Sequence, residues 1–78
     1  MAQKLGTLIQ EYRESRGWSL RRLADETDNV MSRKFLHDIE RGKWLPSEER
    51  LNKFCESLEL PKGKYFEAWH YSKLTKFL

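Results

Sequence analysis

This 78-residue chain is poor in several residue types: one cysteine, two prolines, four glycines and a single valine. A lone thiol, Cys55, excludes an internal disulfide and a cysteine-rich zinc site, and it fits a reducing compartment. No apolar run approaches the ~20 residues that a membrane span needs. The start, Met1-Ala2-Gln3-Lys4, leads into an amphipathic segment rather than the unbroken apolar stretch of a signal peptide, so a cytoplasmic location is expected. Strand formers are scarce, with two isoleucines and three threonines beside the one valine, and no alternating runs flank an Asn-Gly or Asp-Gly turn. His37 and His70 lie far apart with no ligand-rich cluster near either, which argues against a metal. No nucleophile, base and orienting group fall together. The expectation is therefore no enzyme, no cofactor and no small-molecule substrate.

Eleven leucines and a charged fraction of 35% are what the chain does have. Such a chain makes one small domain with a polar surface, and its helix formers predict an all-α fold. Leu5, Leu8, Ile9 and Tyr12 repeat at i, i+3, i+4, i+7 and mark a first helix over about 3–16, which Gly17 stops. Ser19 is an N-cap for a second helix over about 19–27, carrying Leu20, Leu23 and Ala24. Asp28-Asn29-Val30-Met31 breaks the period. Ser32 caps a third helix over about 32–40 with Leu36 and Ile39 inward, and Gly42 ends it. Trp44-Leu45-Pro46 reads as a connector, because a residue before proline avoids the helical region. Ser47, followed by Glu48 and Glu49, opens a fourth helix over about 47–58 on the stripe Leu51, Phe54, Cys55 and Leu58. Leu60-Pro61-Lys62-Gly63 is a break. A fifth helix over about 64–77 is expected to turn Tyr65, Phe66, Trp69 and Leu74 inward.

The net charge is +3 and the isoelectric point is near 9.2. That balance permits a nucleic-acid partner without requiring one. The middle helix pair is more specific. Its second helix exposes Arg33, Lys34, His37, Asp38 and Arg41. Arginine and lysine reach guanine O6 and N7, and aspartate accepts from cytosine N4. Arg21, Arg22, Ser32 and Lys43 lie where phosphates would be met. Taken alone, these positions also fit an ordinary solvated helix face.

The order of residues adds more. Leu5-Gly6, Arg13, Arg16-Gly17-Trp18-Ser19, Leu23-Ala24, Ser32, Leu36, Ile39-Glu40-Arg41-Gly42, Pro46-Ser47 and Leu51 together resemble the Cro and phage-repressor (XRE-type) family of helix-turn-helix proteins, over residues 5 to 60. The resemblance implies a compact five-helix bundle of the lambda-repressor type, with the helix-turn-helix at about 19–40. It implies double-stranded DNA as partner, read by the third helix in the major groove, and a transcriptional regulator, most naturally a repressor. Arg33 and Lys34 match its first base-reading positions and Asp38 a later one, with His37 beside them. Ser32 matches a phosphate contact, and Lys43 follows the helix where members touch the backbone. Arg13 and Glu40 match a structural ion pair between the first and third helices.

Two departures stand out. Leu20 occupies a position usually polar in the family and cannot donate a hydrogen bond to phosphate. The turn between Ala24 and Leu36 is about two residues longer than the family norm, and Asp28-Asn29-Val30 replaces the usual glycine, so the extra residues are expected to loop out. Asp25, Glu26 and Asp28 put negative charge beside it. Phe35 is expected to pack under the enlarged turn or to meet a thymine methyl. Trp18 is read as core, and Trp44 either covers the core or lies along the backbone. The tail over 64–78 carries Tyr71, Leu74, Phe77 and Leu78, read as a homodimer interface. The alternative function is a protein-interaction module on the same fold, an antitoxin or repressor antagonist, which binds a protein partner through that aromatic tail. The chain also fits a DNA-binding domain cut from a longer protein.

Overall fold

Serine hydroxyls start three of the five helices in the computed structural model, which describes residues 3–75. The helices are α1 (Leu5–Ser15), α2 (Leu20–Glu26), α3 (Arg33–Glu40), α4 (Glu48–Leu58) and α5 (Lys62–Thr75), with no strand among the described residues. Ser19 Oγ accepts from the Arg22 amide (3.0 Å), Ser32 Oγ from that of Phe35 (3.2 Å) and Ser47 Oγ from that of Arg50 (3.2 Å). Each such cap stabilises its helix by about 1 kcal/mol. Gly17 and Gly42 leave their helices with φ of 70° and 73°, the left-handed region where a side chain costs energy. None of the helices is long and apolar enough to cross a membrane.

α1 is capped differently. Lys4, its N-cap residue, makes no side-chain cap bond. The Leu5 amide instead donates to Ser72 Oγ on α5, at 2.8 Å. A second tie runs from the same helix, where Trp69 Nε1 donates to the Pro46 carbonyl at 2.8 Å. α5 therefore holds the start of α1 and the connector into α4 together. The core between them is apolar: Leu5, Ile9, Leu23, Leu36, Leu51 and Phe54 are fully buried.

Two expectations are corrected here. α5 starts at Lys62, so Gly63 lies inside the helix rather than in a break. Its buried face is Tyr65, Ala68, Trp69 and Ser72, a clean i, i+3, i+4, i+7 set once small and polar residues are counted. Leu74 lies about 160° around the helix from Ser72, at 100° per residue, and is 74% exposed instead of inward. In the lengthened turn, two residues do loop out. Asp28 and Asn29 are exposed and left-handed, with φ of 52° and 57°. Past them the chain turns back in, Val30 half-buried and Met31 fully buried in the core. The Asn29 amide closes the turn on the Ala24 carbonyl at 2.9 Å, and buried Thr27 donates to the same turn of α2.

Cys55 on α4 and Tyr65 on α5 are both buried. Burial pushes the thiol up to about 11 and the phenol up to about 12. Both groups are thus neutral in the fold over a wider range than in the unfolded chain. Their contribution to stability is complete below about pH 9 and is lost as pH rises through 9 to 12. Urea denaturation is expected to give the same midpoint at neutral pH and at about pH 8, and a lower one at about pH 10.5. An unchanged alkaline midpoint would contradict this burial.

Candidate nucleic-acid interface

α3 is short and strongly two-sided. Leu36 and Ile39 anchor it in the core, and Arg33, Lys34 and His37 are exposed. Asp38 is half-buried, and His37 Nδ1 stands 3.8 Å from its carboxylate. Ser32 spends its oxygen on capping α3, which leaves its O–H free to donate. Arg41 and Lys43, just beyond the helix, are exposed. On α2, Arg21 is exposed, whereas Arg22 Nε bonds the Glu26 carboxylate at 2.8 Å one turn on. The basic residues singled out in the sequence thus line the outer side of α3 and the loop after it, with a second group at the start of α2.

Phe35 is half-buried and packs against the core. Its ring stacks on Trp44, with centroids 4.6 Å apart and planes 23° apart, and the Arg50 guanidinium lies 5.8 Å from the Phe35 ring centre. This stack clamps the connector against the start of α3. Leu20, where a polar residue was the family norm, is half-buried and packs against the core.

The ion pair expected between Arg13 and Glu40 is present and bidentate. Arg13 Nε and Nη2 donate to the two Glu40 oxygens at 2.8 and 3.0 Å, and Nη1 donates to the Trp18 carbonyl at 2.9 Å. The side chains are 16% and 8% exposed. The Glu40 hydrogen bonds hold the Arg13 guanidinium above its ordinary pKa, against the opposing effect of burial. One arginine therefore ties together α1, the α1–α2 turn and the end of α3. Arg13→Ala is expected to cost about 2–3 kcal/mol, because Glu40 is left without its partner. Replacing both residues with methionine should cost less than either single methionine change. A double-mutant cycle by urea denaturation measures the difference, and additive losses would rule out the coupling.

Tyr71 is 37% exposed and Leu74 stands well out from α5, while Phe77 and Leu78 lie outside the described residues. Sequence reasoning missed three contributors. Gly6 is buried where α1 meets the end of α3. Ser72 caps α1 from across the fold. Arg16 lies over aromatic rings at the end of α1. For Gly6 and Arg16 the only signal was their place in the resemblance; for Ser72 there was none, since its partner is 67 residues away in the chain.

Two short serine-capped helices joined by a lengthened turn, the second locked to the rest of the domain by a bidentate ion pair, make a helix-turn-helix unit. Residues 4–64 match the helix-turn-helix domain family, and the chain belongs to it. Over 61 residues it is 38% identical to the HTH-type transcriptional regulator SutR of Escherichia coli (strain K12). That stretch covers 78% of this chain but 33% of SutR, so the chain spans about a third of the length of this curated relative. No solved structure matches the chain.

Proposed function

We propose that this domain binds double-stranded DNA in a sequence-specific way, as the reading head of a transcriptional repressor, with α3 inserted in the major groove. The observation that carries this reading is α3 itself. It turns Arg33, Lys34 and His37 to solvent on a helix whose opposite side is fixed by Leu36, Ile39 and the Arg13–Glu40 pair. A reading helix needs such a rigid mount, because a base contact discriminates only when its donor is already in place. In this reading Arg33 and Lys34 donate to guanine edges, and His37 and half-buried Asp38 complete the base set. Arg21, Arg22, Ser32 and Lys43 hold phosphates. The similarity to SutR, a transcriptional regulator, supports the regulatory half of the proposal. Tyr71 and Leu74 serve as part of a homodimer contact, which would place two α3 helices on half-sites about one helical turn apart.

Selection of a random duplex library by the purified protein, at low and at near-physiological salt, tests this. Non-specific binding collapses with salt and a true site survives. The expected result is an enriched motif made of two related half-sites. Loss of all binding at physiological salt, with no motif, would sink the proposal in favour of a protein-interaction module acting through α5.

A further inference from the structure

We infer that Arg16, held on the faces of Tyr12 and Trp18, forms a phosphate clamp that grips the duplex backbone beside the groove occupied by α3. This inference rests on the DNA-binding reading above and adds a contact which the helix-turn-helix residues do not include. Arg16 caps the end of α1. Its guanidinium carbon lies 5.2 Å from the Tyr12 ring centre and 6.0 Å from that of Trp18. The two rings meet edge to face, with centroids 5.9 Å apart. A guanidinium lying over a ring face keeps its N–H edge free to donate, and the ring limits the rotamers it must lose on binding. Arg22 lies 5.4 Å from the Trp18 ring centre but already bonds Glu26. Arg16 has no ion pair among the described residues, and that leaves it as the available cation of the patch.

The patch is also in fixed register with α3. The Trp18 amide donates to the Arg13 carbonyl at 3.1 Å, and the Trp18 carbonyl accepts from Arg13 Nη1. The same guanidinium grips Glu40 at the end of α3. The α1–α2 turn that carries Arg16 is therefore tied by hydrogen bonds to the end of α3. A duplex seated on α3 offers evenly spaced phosphates to any cation held at such a constant offset, whereas a flexible arginine would find one only at an entropic cost.

Arg16→Ala and Trp18→Leu, each checked for folding by thermal melting, test the clamp by fluorescence anisotropy. The probes are the selected duplex and an unrelated duplex of the same length, across a salt series. Arg16→Ala is expected to weaken both duplexes by the same factor, roughly three- to tenfold, and to lower the slope of log K against log salt by about 0.9, one phosphate's worth. Trp18→Leu keeps the charge and should weaken both duplexes less, with the slope unchanged. Wild-type affinity and slope in Arg16→Ala, beside a lost motif in an Arg33→Ala, Lys34→Ala double variant, would overturn the clamp and leave the DNA reading intact. A changed motif in Arg16→Ala would also overturn it, since Arg16 would then be reading a base. Wild-type protein that binds no duplex at any salt concentration in the series would overturn both.

Discussion

Gly6→Ala is expected to unfold this domain or leave it barely folded, with a loss of about 4 kcal/mol. A methyl group at Gly6 would overlap the carbonyl oxygen of Ile39 and come within 3.0 Å of the Glu40 Cα and 3.1 Å of its carbonyl oxygen. All three atoms are backbone, so no rotamer change relieves the clash. Either α1 or the end of α3 must move, and Arg13 holds those two together through Glu40. A 78-residue domain has roughly 4–12 kcal/mol of total stability to lose. Gly63 is the natural control. It lies inside α5 with nothing near the position of an added methyl, and its φ is not positive. Gly63→Ala should stabilise by roughly 0.5–1 kcal/mol, through helix propensity alone. Thermal melts of the two variants should shift in opposite directions. A Gly6→Ala midpoint within a few degrees of the wild type would show that the α1–α3 approach is looser than described.

The double variant Arg33→Ala, Lys34→Ala should lose most of its affinity for a selected site, about 2–6 kcal/mol from two base contacts, and should still fold. Its stability is expected to rise slightly. Both residues are exposed in the first turn of α3, and that turn has no acidic residue. Positive charge at a helix N-terminus opposes the helix dipole, by about 0.3–1 kcal/mol at exposed positions. The contrast with α4 is direct, because its first turn carries Glu48 and Glu49, the favourable sign. A chain selected for stability alone would not place two cations at the start of α3. Anisotropy on the selected duplex, beside urea denaturation of both proteins, separates the two effects. Unchanged affinity would remove α3 as the reading helix. A fall in stability would mean that the pair contributes to the fold.

Much of this fold is legible in the residues, wherever the physics is local. Ser19, Ser32 and Ser47 start helices because a short hydroxyl reaches an amide three residues on. Gly17 and Gly42 end them because they tolerate positive φ. The stripes of α1 and α4 report burial through spacing alone. Legibility fails where a partner is distant in sequence. Nothing near Ser72 points to the Leu5 amide, and nothing near Phe35 points to Trp44. It fails again where one residue type serves against its usual sense. Asp28, Asn29 and Glu59 adopt the left-handed conformation where glycine is the common choice. The buried face of α5 runs through Ala68 and Ser72, which a search for large apolar residues passes over in favour of Leu74. The candidate site divides the same way. The outward residues of α3 follow from which neighbours are inward, and the Arg13–Glu40 pair follows from the family pattern. The aromatic seat of Arg16 depends on how the α1–α2 turn folds back, which the order of residues does not announce.

The bond from the Leu5 amide to Ser72 Oγ also bears on how the domain emerges from a ribosome. It joins residues 67 apart in the chain. At about 5–20 residues per second, roughly 3–13 seconds of synthesis separate the two partners. Until α5 is made, the opening helix of the nascent chain has no cap for its first amide, and the pocket for Trp69 stands empty. The helix-turn-helix unit is translated early but is secured last, so a translational stall after α4 would expose an unfinished bundle to proteases and to other chains.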